Sequence, residues 1–162
     1  MIQATLSTIA LIGAVFAAAD TTPAEPCAST ARKPGASPQA FLVSQTRSRD
    51  TLVSVAVCVM LPKASAAKVG SYHGELYFDS TTTTVARVEK QSSSGIRVEN
   101  ATLAGRVNFA GAAPSGFPAG PLVSVVLRTR PGAAPRVRLK MIELNATDGT
   151  SLMKALVTSS EP

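Results

Sequence analysis

The chain has 162 residues, 45% of them hydrophobic but only 4% aromatic, with no Trp; that length suits one domain with a genuine core plus appendages. The interior must then be filled by Val, Leu, Ala and Ile, and eleven Gly with eleven Pro fit a turn-rich all-β protein better than a helical one. A formal net charge of +6 raises the question of nucleic acid, but a basic balance without stacking aromatics or a known module is weak grounds for it, and no nucleic-acid partner is expected.

Residues 6–19 are an uncharged apolar run, the length of a signal-peptide core and short of the ~20 residues of a membrane span. Ala17 and Ala19 precede Asp20 as small residues at a cleavage site, which predicts a signal peptide over residues 1–19. No Lys or Arg precedes the run, unlike most export signals, so a buried N-terminal strand and an uncleaved anchor are the alternatives. Cys27 follows Pro26 well beyond the apolar run, which argues against a lipid anchor. The expected location is secreted, periplasmic or cell-surface, with no stable membrane insertion after cleavage. Residues 20–39 are rich in Pro, Ala, Ser and Thr, too poor in apolar surface to order themselves, and read as a linker. The domain is expected over residues 40–157 and a polar tail over 158–162.

The two cysteines are Cys27, in the linker, and Cys58, within an apolar strand. In an oxidising compartment they could pair, closing a loop worth roughly 3–4 kcal/mol; the alternative is a buried thiol at Cys58 and an unrelated one at Cys27. One His and two Cys cannot make a structural zinc site, and no cofactor is predicted.

Short runs of alternating apolar and polar residues, separated by turn formers, are the pattern of half-buried strands. They fall at residues 41–44, 52–61, 70–79, 85–88, 96–98, 106–110, 122–130, 136–144 and 152–157. The second is apolar at nearly every position and is expected to be buried on both faces. In the third, Tyr72, Gly74, Leu76 and Phe78 point one way, and Ser71, His73, Glu75 and Tyr77 the other. The Asp148-Gly149 pair marks a hairpin turn into the last strand. Nine short strands at this spacing predict a nine-stranded, two-sheet β-sandwich of jelly-roll type.

The order and spacing of four segments resemble the bacterial, cellulosomal-type cohesin domain, within a superfamily of carbohydrate-binding sandwiches. They are Val69-Gly-Ser-Tyr-His-Gly-Glu-Leu-Tyr-Phe-Asp79, Gly105-Arg-Val-Asn-Phe-Ala110, Gly120-Pro-Leu-Val-Ser-Val-Val-Leu127 and Glu143-Leu-Asn-Ala-Thr-Asp-Gly-Thr-Ser-Leu152. Together they span most of residues 40–157; the stretch 80–103 is shorter than in typical dockerin-binding members. The resemblance implies that a partner docks on the outer face of the sheet holding the third, fifth, sixth and eighth strands. Alternation then puts Ser71, His73, Glu75, Tyr77, Arg106, Asn108, Arg136, Arg138 and Lys140 on that face, with Arg97 and Glu99 of the fifth strand beside them. Ser71 and His73 match positions that carry polar partner contacts in dockerin-binding cohesins, with different residue types here. Outward Arg and Lys are ordinarily just a solvated surface, but Arg136, Arg138 and Lys140 in one row repel one another unless acids or a partner offset them.

Catalytic patterns are missing from the sequence: there is no G-x-S-x-G elbow and no phosphate-cradling glycine loop. A serine triad would have to use His73, and Glu75 with Asp79 project from one strand, unlike an opposed acid and nucleophile. Asp79, Asn145 and Asp148 carry oxygens suited to calcium, although the turn already explains Asp148. The sequons at Asn100 and Asn145 matter only in a eukaryotic secretory pathway. The sequence therefore predicts an exported, non-catalytic module for protein–protein adhesion with an acidic partner, for which the resemblance implies a dockerin-like protein. Polysaccharide binding is the alternative, and a purely structural role in a surface assembly the third.

Overall fold

A computed structural model describes residues 27, 35–46, 51–63, 65–89, 95–117 and 120–159. The expected signal peptide and most of the expected linker lie outside these residues. The strands are β1 (Gln39–Thr46), β2 (Leu52–Met60), β3 (Val69–Tyr77), β4 (Thr83–Glu89), β5 (Ile96–Asn100), β6 (Arg106–Ala112), β7 (Pro121–Thr129), β8 (Arg138–Ala146) and β9 (Val157–Ser159). They form a five-stranded sheet, β4-β7-β2-β1-β9, and a four-stranded sheet, β5-β6-β3-β8. Neighbouring strands are antiparallel except β1 and β9, which run parallel. Among the described residues no helix is long and apolar enough to cross a membrane.

The core lies between the sheets. Val53, Val55 and Val57 of β2 and Val123, Val125 and Leu127 of β7 meet Tyr72 and Leu76 of β3, Val107 and Phe109 of β6, and Met141 and Leu144 of β8. Fully burying such a side chain stabilises by about 1.5–3 kcal/mol, and β-branched valines suit the pleat. The Tyr72 ring lies 5.0 Å from that of Phe117 and 6.1 Å from that of Phe109. Alternate residues of β2 face away from this core. Ala56 and Cys58 form a second cluster with Phe41, against which Cys27, Val43 and Met60 pack. A disulfide joins Cys58 to Cys27, with Cα atoms 5.6 Å apart. So β2 is apolar on both sides for two different reasons.

Most strand limits move by a residue or two from the pattern, and two of the changes alter the layout. β8 begins at Arg138, leaving Arg136 in the irregular segment before it. The run 152–157 is not a strand: a 3-10 turn over Met153–Ala155 occupies it, and β9 follows at Val157–Ser159. The Asp-Gly turn does form, with Gly149 at φ 82° and Asp148 Oδ1 accepting from Thr150 N at 2.9 Å. The returning chain makes only one bridge, Asn145 to Ser151. It then turns away and pairs with β1 in the opposite sheet, a long-range choice that local alternation does not encode.

Candidate functional site

The outer face of β5-β6-β3-β8 is laid out by its register. Tyr77 on β3 stands between Arg106 and Arg138, and Glu75 between Asn108 and Lys140. His73 stands between Ala110 and Glu143, and Ser71 between Ala112 and Asn145. Beyond β6, Asn100, Val98 and Ile96 of β5 continue the rows from Asn108, Ala110 and Ala112. Eight of the nine predicted residues thus share one surface, while Arg136 sits just ahead of β8. A β-bulge shifts the register between His73 and Gly74, so that Met141 opposes Gly74 and Glu143 opposes His73. The extra residue, Ile142, is 42% exposed, as expected where a bulge re-aims a side chain.

Glu75 organises the charged part. It is buried and accepts a hydrogen bond from the Tyr77 hydroxyl. Its carboxylate also meets Arg106 Nη1 at 3.4 Å and Lys140 Nζ at 3.9 Å. The Tyr77 hydrogen bond first, then Arg106, Lys140 and His73, hold this carboxyl below the ordinary glutamate range, while burial pulls the other way. At the far end of the face, Ser71 Oγ donates to Glu143 Oε1 at 2.9 Å, and Asn145 Nδ2 donates to both groups at 3.1 and 2.8 Å. The serine hydroxyl is therefore directed at Glu143, not at His73. Asn108 Oδ1, between these ends, is buried with no hydrogen-bond partner among the described residues. The three oxygen-bearing residues considered for calcium serve other partners: Asp79 accepts from Thr81 and Thr82, Asp148 from Thr150, and Asn145 donates as above.

β5 reverses the expectation for its side chains. Arg97 and Glu99 oppose Gly111 and Phe109, the inward positions of β6, so they point into the sandwich. Ile96 and Val98 point out, 73% and 61% exposed. The reason is the environment that Arg97 finds inside. Its guanidinium lies 4.6 Å from the Phe117 ring centroid and 6.0 Å from that of Tyr72. It also donates to the Tyr72 hydroxyl and to the carbonyls of Pro121 and Leu122. Cation–π contact and charge-assisted hydrogen bonds offset the desolvation of the cation. Gly111 leaves the space: a Cβ there would lie 2.6 Å from Tyr72 Cζ. Since a strand's faces alternate, one inward Arg fixes the facing of the whole of β5. The outer face therefore gains an apolar corner of Ile96, Val98, Ala110 and Ala112 that alternation alone assigns to the wrong side.

No protein-family model matches the sequence, and no curated protein matches it either. Solved structures do match in fold. A non-cellulosomal cohesin from the hyperthermophilic archaeon Archaeoglobus fulgidus superposes with TM-score 0.59 at 20% identity, covering 76% of this chain and 86% of that one. The sixth cohesin of scaffoldin B from Acetivibrio cellulolyticus, solved with a mutant Cel5 dockerin, gives 0.62 at 11% identity, covering 76% and 94%. The OlpC cohesin of Clostridium thermocellum, solved with the Doc435 dockerin, gives 0.57 at 13% identity, covering 80% and 94%. With β5, β6, β3 and β8 in one sheet and β4, β7, β2, β1 and β9 in the other, this chain carries a cohesin-like β-sandwich domain.

Proposed function

We propose that the chain is an exported, non-catalytic binding module that captures a protein partner of dockerin type on the outer face of β5-β6-β3-β8. The observation that carries this reading is the division of that face into a basic end and an apolar corner. Arg106 and Lys140 flank a single buried carboxylate, Glu75, Arg138 stands one row along, opposite Tyr77, and Arg136 adds a further exposed cation beside them. Ile96 and Val98 supply the exposed apolar surface. Basic residues steer an acidic partner into register, and buried apolar contacts at an interface supply affinity. Cohesins from Acetivibrio cellulolyticus and Clostridium thermocellum with this fold were solved with dockerins bound, which supports a protein partner. Export is supported by the Cys27–Cys58 disulfide, a bond that persists in oxidising compartments. Polysaccharide binding is the weaker reading, because a stacking platform on these strands would rest on Tyr77 alone, and its hydroxyl is held by Glu75.

The test is capture of a purified dockerin panel, and of the source organism's secreted proteins, by the chain and by an Arg138→Glu, Lys140→Gln variant. Lys140 is neutralised rather than reversed because Glu75 lies 3.9 Å from its Nζ. Capture is expected to fall by about tenfold or more, with a thermal midpoint within about 2 °C of the parent, as for exposed substitutions. Unchanged capture removes this face from the function.

A further inference from the structure

Where β3 ends and the chain approaches β8, Tyr77, Phe78, Asp79, Arg136 and Arg138 line a cleft of about 430 Å³. We propose that this cleft receives an acidic side chain of the partner polypeptide, its carboxylate between Arg136 and Arg138 and its methylene stem against Tyr77 and Phe78. The inference rests on the reading of the outer face as a protein-binding surface and names the chemistry at its basic end.

The lining offers donors and few free acceptors. Arg136 and Arg138 are both exposed, and among the described residues neither guanidinium has an ion-pair or hydrogen-bond partner. The Tyr77 hydroxyl donates to Glu75, which fixes the ring as a wall. Asp79, the one acid in the lining, accepts from Thr81 N at 2.8 Å, Thr81 Oγ1 at 2.7 Å and Thr82 Oγ1 at 3.3 Å. Arg130, outside the lining, draws on the same carboxylate. The cleft therefore stays cationic, with two fork-shaped donors able to grip a carboxylate through paired N–H bonds. A sugar acid would bring the same charge but also several hydroxyls that need acceptors, and the side chains of the lining offer few: Asp79 already accepts from Thr81 and Thr82, which leaves the Tyr77 oxygen. An Asp or Glu side chain brings only a carboxylate and an apolar stem. That match favours a peptide over an anionic polysaccharide.

The test titrates the full chain with a fluorescent oligo-glutamate peptide at physiological salt, beside an oligogalacturonate of equal charge. The peptide is expected to bind tighter, and Arg136→Gln and Arg138→Gln each to weaken it about tenfold, the effect of losing a charged hydrogen bond. Arg106→Gln and Lys140→Gln, which remove the same charge from the face outside the cleft, are expected to change it by no more than about twofold. Equal losses at all four cations mean diffuse charge attraction and overturn the proposal, as does equal or tighter binding of the oligogalacturonate. No binding of the peptide by the parent chain also overturns it, while dockerin capture and its loss in the Arg138→Glu, Lys140→Gln variant judge the face separately. Arg136 lies outside every strand and is exposed, so its substitution leaves the sandwich intact, and circular dichroism of the variant checks this.

Discussion

Glu75 is the residue on which the basic face depends. Without its carboxylate, Tyr77, Arg106 and Lys140 lose their shared partner, and cations on neighbouring strands repel. Its folded-state pKa lies below the ordinary value, so near pH 4 the unfolded chain binds more protons than the folded one. The stabilisation is therefore complete above the unfolded pKa of ~4.3 and is lost as pH falls through the lower folded value. Thermal midpoints measured from neutral pH down to about pH 3 are expected to drop on the acid side, and Glu75→Gln to flatten part of that drop. Asp79 and Asp148, also lowered by local hydrogen bonds, retain the rest. An unchanged acid slope in the variant removes Glu75 as a contributor. This pairing was partly legible in the sequence, since Glu75 alternates outward with Tyr77 on one strand. The inward turn of Arg97 was not, because its partners Tyr72, Pro121 and Leu122 lie more than twenty positions away.

Strands β3, β6 and β7 could be read from alternation because each has enough residues to set the period, whereas β2 was legible as an unbroken apolar run. β5 has five residues, and its alternation points the wrong way, because Arg97 finds its partners inside the sandwich. The bulge in β8 is equally silent, since Ile142 looks like any apolar residue of a strand. Close approach beneath the face is a matter of single glycines. Gly74 lies under the basic end, and a Cβ there would come within 2.4 Å of Phe109 Cζ and 3.1 Å of the Lys140 carbonyl oxygen. Gly74→Ala is expected to destabilise by about 1–3 kcal/mol through this overpacking. It should appear as a lower urea midpoint with unchanged slope. An unshifted midpoint means that the Phe109 ring has room to move aside.

At the scale of the molecule, the sandwich rests on a valine-rich core and one covalent cross-link. The disulfide spans a sequence separation of 31. On the chain-entropy model such a loop contributes about 3.7 kcal/mol, a large share of the stability of an ordinary domain. Replacing both cysteines by Ala, or adding reductant, is expected to lower the denaturant midpoint accordingly, and equal midpoints with and without reductant contradict it. The sequence announced the two-sheet architecture through turn spacing. It did not announce the closure by β9, which depends on the parallel pairing with β1 across the sandwich edge.

Cys58 belongs to the cluster on the outside of the five-stranded sheet, turned away from the core, and the basic face lies on the outside of the other sheet. Cys27 is thus fastened to the back of the domain. A tether chemically joined at Cys27 would act as a handle on the side away from the face proposed for binding.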